Sequence, residues 1–175
     1  MNEFVVTAVG EDRPGIVAAL TEALLGLGVN LADVRAALLR GSFATMLAVS
    51  VPDECDASRL EGALAPAATR LGLGLHIAPA APAAPAALRP RAVLSVYGAD
   101  RPGIVHGVAA HLAGLGGNII DLSARRVGDP PVYVLGIELE VPPGFDAPRL
   151  RERLAAVAAE YGVELTLDDE GDEIL

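Results

Sequence analysis

Apolar residues recur along this chain in two alternating rhythms. Phe4 to Val9 and Ala92 to Tyr97 are short runs rich in β-branched and aromatic residues, each closed by a glycine (Gly10, Gly98), and they read as strands. Behind each comes a stretch whose apolar positions lie three and four apart: Ile16, Leu20, Ala23, Leu24 and Leu27, then Ile104, Val108, Leu112 and Leu115. That spacing predicts a helix with one buried face. Pro14 and Pro102 fall in the first turn of these helices, where a missing N–H costs nothing, and Gly28 and Gly116 are placed to stop them in a left-handed cap. Two strands follow each time, Asn30 to Arg40 with Phe43 to Val51, and Asn118 to Val127 with Val132 to Val141. Leu135, Ile137, Leu139 and Val141 alternate with Gly136, Glu138 and Glu140, so one sheet face is buried and the other wetter. A second helix uses Leu60, Leu64 and Leu71, or Leu150, Leu154, Val157 and Tyr161; Pro66 inside the first of them predicts a kink or a short helix. Leu73 to Ile77 and Val163 to Leu167 read as closing strands.

The same series of elements therefore occurs twice, and the residues repeat with it. GEDRPGIVAALTEALLGLGVNLADVRA, from Gly10, aligns with GADRPGIVHGVAAHLAGLGGNIIDLSA, from Gly98, at an offset of 88 with about half of the positions identical. DASRLEGALAPAATRLGLGL, from Asp56, aligns with DAPRLRERLAAVAAEYGVEL, from Asp146, at an offset of 90. The two extra residues enter at a hairpin tip, Gly128-Asp129-Pro130-Pro131 against Arg40-Gly41-Ser42, where a duplicated fold tolerates insertion.

Two helices on one face of a four-stranded antiparallel sheet, in the order β-α-β-β-α-β, is an α+β fold of ferredoxin-like type. The expected organisation is domain 1 at 1–78, a Pro/Ala-rich linker at 79–91, domain 2 at 92–169 and an acidic tail at 170–175. Pro79, Pro82 and Pro85 are spaced by three, which fits a polyproline II rod spanning about 30 Å from Ala78 to Leu88 and fits a plain flexible spacer equally well. Each domain leaves a sheet edge open and part of a sheet face uncovered, so two copies can cover one another and a homodimer is also open to the chain.

Charge narrows the partners. The formal net charge of −10 divides into −4 for 1–78, +2 for 79–91 and −8 for the rest, which disfavours direct contact with nucleic acid. Arg125–Arg126 and the trio Arg149, Arg151 and Arg153 are flanked by acids and read as solvated faces. A single cysteine, Cys55, excludes an intrachain disulfide and a Cys-based zinc site. The N-terminus lacks a basic leader and no apolar run reaches the roughly 18 residues of a membrane span, so a cytoplasmic location without membrane contact is expected.

Chemistry concentrates where G-x-D-R-P-G-I-V joins strand to helix. Free amides at a helix start favour a carboxylate or phosphate, and Gly15 and Gly103 let a ligand or another backbone approach closely. Asp12 and Asp100 can cap the helix or receive an ammonium group, and Asn30 and Asn118 offer a donor and an acceptor. The same residues are equally good helix-start and helix-stop chemistry with nothing bound. His106 and His111 are five apart, unsuited to a shared metal; His106 follows the motif where the first copy has Ala18, and reads either as a difference between the two sites or as a surface histidine. His76 reads as a half-exposed strand residue and Cys55 as an inert thiol. No G-x-S-x-G or P-loop run is present, and no positioned acid–base set, so no catalytic residue, metal or cofactor is expected.

The D-R-P-G-I-V start, the L-x-x-x-G-x-N-I/L helix exit and the element order, each found twice, resemble tandem ACT-domain proteins of the glycine-cleavage-system transcriptional repressor family. An ACT segment of this type also opens formyltetrahydrofolate deformylase, but no hydrolase domain is expected here. The resemblance implies an amino-acid ligand at the seam between paired ACT domains, held by the first β-α loop and the residue after the first helix. By that implication Asp12, Arg13, Pro14, Gly15 and Asn30 form one half-site, and Asp100, Arg101, Pro102, Gly103 and Asn118 the other. It further implies a non-catalytic regulator acting through a protein partner, a regulated enzyme or a transcription factor; the alternative is a ligand-free interaction module.

Overall fold

A computed structural model describes residues 2–81, 90–142 and 146–169. The chain divides into two compact units, Met1–Ala83 and Ala84–Leu175. The first contains β1 (Asn2–Glu11), α1 (Ile16–Leu25), β2 (Asn30–Leu39), β3 (Ser42–Val51), α2 (Ala57–Leu71) and β4 (Gly74–Pro79). The second contains β5 (Arg91–Gly98), α3 (Ile104–Gly114), β6 (Asn118–Val127), β7 (Val132–Glu140), α4 (Ala147–Tyr161) and β8 (Val163–Asp169). The sheets are antiparallel with strand orders β2-β3-β1-β4 and β6-β7-β5-β8. This is the expected α+β, ferredoxin-like βαββαβ fold, made twice.

Alternation along the central strands places each core. Phe4, Val6 and Ala8 of β1 and Leu47, Val49 and Val51 of β3 turn to the same sheet face, where they meet Ile16, Leu20 and Leu24 of α1 and Leu60 and Leu64 of α2. In the second unit Leu94 and Val96, Leu135 and Ile137, Ile104 and Val108, and Leu150 and Leu154 do the same. Burying each large side chain stabilises its domain by about 1.5–3 kcal/mol.

The repeat extends to irregularities of the backbone. Pairing of β2 with β3 shifts register between Leu31 and Asp33, and pairing of β6 with β7 shifts between Ile119 and Asp121, the same bulge at the same place. The β2–β3 turn is Arg40-Gly41, both at positive φ, whereas four residues join Val127 to Val132. The insertion thus sits at the hairpin tip, as its offset requires.

Several details differ from the sequence expectations. Pro14 and Pro102 precede the helices rather than lying in their first turns: Gly15 (φ 93°) and Gly103 (φ 100°) are the N-caps, and their left-handed backbone delays the right-handed helix to Ile16 and Ile104. Pro66 does not shorten α2, which runs 15 residues like α4. Pro66 and Gly62, the residue whose carbonyl loses its helical partner, both face solvent, so water can satisfy that oxygen. His76 is exposed rather than half-exposed. β4 continues to Pro79 opposite Phe4, because an edge strand tolerates a residue without an N–H, and Ala80 N–H still donates to Glu3 O at 2.9 Å. Pro82 and Pro85 of the expected linker, and the expected tail at 170–175, lie outside the described residues.

Gly10, next to last in β1, and Gly98, last in β5, lie beside the start of the closing strand, and there a side chain has no room. A Cβ at Gly10 would lie 2.8 Å from the Gly72 carbonyl oxygen, and one at Gly98 would lie 2.8 Å from Val163 Cγ1 and 3.0 Å from its Cα. Gly10→Ala and Gly98→Ala are each expected to destabilise their domain by about 1–3 kcal/mol in urea unfolding. Gly62→Ala, whose Cβ would meet nothing within 4 Å on the exposed face of α2, should instead stabilise by up to about 1 kcal/mol. Equal effects at all three positions would contradict the close approach at the strand ends.

Candidate functional site

The four helices start in two different ways. Asp56 caps α2 by accepting from the Arg59 N–H at 2.9 Å, and Asp146 caps α4 by accepting from the Arg149 N–H at 2.9 Å. Neither α1 nor α3 has a side-chain cap, because a glycine stands at the position where a capping side chain would be. Their first amides keep the orientation and partial positive charge that favour an anion. Asp12 is not the cap of α1. Its N–H donates to Gly41 O at 2.9 Å, which ties the β1–α1 corner to the β2–β3 turn.

Around Gly15 the corner is open. A Cβ built on this residue meets nothing within 4 Å, and Asp12, Arg13 and Pro14 are exposed beside it. Arg13 Nη2 donates to Glu11 Oε2 at 2.9 Å. Both partners are well exposed, so the pair adds little stability.

The corresponding corner of the second unit is furnished differently. Arg126 of β6 donates to the Asp100 carboxylate through Nε at 2.7 Å and through Nη2. Burial first, and then the Asp100 carboxylate, push the Tyr133 phenol above the usual tyrosine value. In the first unit the corresponding positions are Leu38 for Arg126 and Phe43 for Tyr133, so the polar cluster belongs to the second copy alone. The Arg101 guanidinium folds back over Gly162, with Nη1 3.3 Å from where a Cβ of that glycine would be. Pro102 is exposed at the same bend. A Cβ on Gly103 would lie 3.0 Å from Cε1 and 3.1 Å from Oη of Tyr161, the last residue of α4.

The asparagines do not join these corners within their own domain. Asn30 opposes Ser50, which opposes Glu3 near the start of β1, whereas Glu11 at the other end of β1 opposes Ser42. Asn118 likewise opposes Glu140, which opposes Arg91 at the start of β5. The ten residues of α1 separate Gly15 from Asn30 by roughly 15 Å of helix. Asn30 lines a cleft of about 500 Å³ along α1, with Ala18, Thr21, Glu22, Leu25 and Leu31. Thr21 and Glu22 were not singled out from the sequence, although they share a helix with the motif. A second cleft, about 640 Å³, runs between α4 and β8 past Arg151, Leu154, Ala158, Glu164 and Thr166; no sequence motif marks it.

Among the described residues no group of three or more His, Cys, Asp or Glu side chains is arranged to hold a metal ion. His111 Nδ1 lies 2.7 Å from the Gly107 carbonyl oxygen, a bond that places its proton on Nδ1, and Cys55 is buried. No helix among the described residues is long and apolar enough to cross a membrane.

Fold, repeat and helix-start corners together define a pair of ACT domains. The ACT-domain family matches residues 2–78 and, separately, residues 102–168. The chain belongs to this family and carries it twice. It is 34% identical over 170 residues to the phosphoserine phosphatase SerB2 of Mycobacterium tuberculosis, an alignment covering 95% of this chain and 40% of that protein. The chain therefore spans less than half the length of that relative. It is 38% identical over 80 residues to the UPF0237 protein MK1213 of Methanopyrus kandleri, covering 46% of this chain and 88% of that one. Among solved structures, an unknown protein of Galdieria sulphuraria superposes with a TM-score of 0.84 at 29% identity, covering 96% of this chain and 98% of the other. The structure of a candidate glycine cleavage system transcriptional repressor superposes with a TM-score of 0.75 at 22% identity over 96% of each chain, a likeness of fold.

The Tyr133 environment can be read by titration. An ionised phenol beside a carboxylate is unfavourable, so Asp100→Asn should lower the pH at which Tyr133 ionises, followed by phenolate absorbance in a Tyr97→Phe, Tyr161→Phe background. The component due to burial should persist. An unchanged titration would show that the Asp100 carboxylate does not act on this phenol.

Proposed function

We propose that this chain is a non-catalytic, cytoplasmic regulatory protein that binds a small zwitterion, an amino acid, between paired ACT domains and passes the bound state to a protein partner, a regulated enzyme or a transcription factor. The observation that carries the reading is the uncapped, unobstructed helix start at Gly15 in a chain of the ACT family. Its amides suit a carboxylate and Asp12 suits an ammonium group, the two ends of one amino acid. Asp12, Arg13, Pro14 and Gly15 with Asn30, and Asp100, Arg101, Pro102 and Gly103 with Asn118, are the proposed contacts. Because each asparagine lies a helix length from its own corner, one small ligand can touch both kinds of group only when two paired domains supply them. The second reading, an interaction module without a ligand, is favoured by the Gly103 corner, where Tyr161 already stands.

A thermal-shift panel of the twenty amino acids plus phosphoserine tests the reading; it includes glycine and phosphoserine, which the relatives' descriptions name. A ligand bound only to the folded state at one hundred times its dissociation constant should stabilise by about 2.7 kcal/mol. Asn30→Ala with Asn118→Ala should remove that response while leaving the unliganded melting temperature nearly unchanged, since both side chains are exposed. Undiminished binding in the double variant would discard these asparagines as contacts. Flat curves across the panel, in a chain that still captures a partner, would leave the interaction module.

A further inference from the structure

β2 is the least protected edge of the first unit. It stands at the end of its sheet, runs ten residues, and leaves Val34, Leu38 and Leu39 43%, 61% and 70% exposed. Edge strands that remain unpaired are commonly short, interrupted by proline or crowded with charge. β4, at the opposite edge, has six residues and ends in Pro79, and β6, the counterpart of β2, carries Arg125 and Arg126 side by side. β2 instead holds one acid and one base, Asp33 and Arg35, two residues apart.

Its backbone offers a place for another strand. Thr45 Oγ1 of β3 donates to the Arg35 carbonyl oxygen at 2.9 Å, so the polar groups of Arg35 face β3 and, by alternation, those of Val34 and Ala36 face the open edge. The Val34 N–H is held by the carboxylate before it, donating to Asp33 Oδ1 at 2.8 Å. A second β2 laid antiparallel with Val34 opposite Val34 matches outward groups to outward groups. Val34 stands near the middle of the strand, so nearly its whole length is used. The same register sets Asp33 of each copy directly opposite Arg35 of the other. Both lie on one sheet face, across from Ala48 and Met46, so two ion pairs form. In β6 the acid and base, Asp121 and Arg125, are four apart. An antiparallel β2 and β6 therefore bring only one such pair into direct opposition in any register.

We propose that two copies of this chain associate through β2, each edge pairing antiparallel with the same edge of the other about Val34. On association Asp33 gives up its own Val34 N–H, which donates to the Val34 carbonyl of the other copy, and turns to the opposing Arg35. No ligand enters this contact, so it stands or falls apart from the function proposed above.

Sedimentation of the full chain is the test. The wild type should dimerise; a monomer at every concentration reached would overturn the proposal. Asp33→Arg and Arg35→Asp each set like charges opposite one another twice, and each should raise the dissociation constant by at least about tenfold. An equal mixture of the two variants should dimerise as the wild type does, because one copy then presents two arginines and the other two aspartates. Variants that dimerise undiminished overturn the proposal, and so does a mixture that stays apart, the result expected if β2 met β6 of the other copy. Should either variant not fold, Val34→Cys decides: a short bismaleimide should link two copies through it, with the buried Cys55 of the wild type as the unreactive control. Absence of a covalent dimer would overturn the pairing.

Discussion

Each half of this chain turns on a glycine held at positive φ between its first strand and first helix. At φ 93° and 100°, Gly15 and Gly103 occupy a backbone region that costs an L side chain roughly 1–2 kcal/mol. The turn they make sets where α1 and α3 begin and so which of their residues face the sheet: Ile16, Leu20 and Leu24 in one copy, Ile104, Val108 and Leu112 in the other. The same glycine excludes a capping side chain. One constraint on two backbone angles thus aligns a core-forming helix and leaves its first turn without a side-chain cap.

Duplication preserved that constraint and let its surroundings change. Both copies fasten the corner to the neighbouring hairpin, but by different means: a backbone bond from Asp12 N–H to Gly41 O in the first, and an ion pair from Arg126 to Asp100 in the second. The hairpin turn of the second copy is two residues longer than that of the first, and there a long side chain from β6 makes the connection. Tyr133 in place of Phe43 keeps an aromatic ring over the core while bringing a hydroxyl near Asp100. The second corner is consequently the more polar and the more crowded of the two.

Most of the fold was legible in the sequence because periodicity was written twice. Where one copy is ambiguous, as at Pro66, its counterpart α4 shows the full helix length. The two strand-to-helix corners were legible too, since D-R-P-G-I-V recurs in register. Three features were not. Pro-Gly reads as proline in the first turn of a helix, and only the sign of φ at Gly15 moves the start two residues on. The division of Asn30 from Gly15 was implicit in the intervening helix, whose length sets them apart, but a motif read as one string hides that distance. Tyr161, whose ring leaves no room for a Cβ on Gly107, lies 54 positions beyond it, so no local pattern joins them. A signal did exist in the comparison of the copies, where Ala19 to Gly107 is a loss of volume and Leu71 to Tyr161 a gain.

Separation of the corner from the asparagine also bears on how such a protein can signal. A site assembled inside one domain could fill without altering how domains pair. Groups at opposite ends of α1 cannot share a small ligand that way; under the function proposed above, a molecule touching both kinds would bridge two domains, and its binding energy would depend on their pairing. It shifts that pairing only by the difference between its affinities for the paired and unpaired arrangements, commonly about 1–3 kcal/mol. Two equal corners in one chain would allow each ligand to ease the binding of the next.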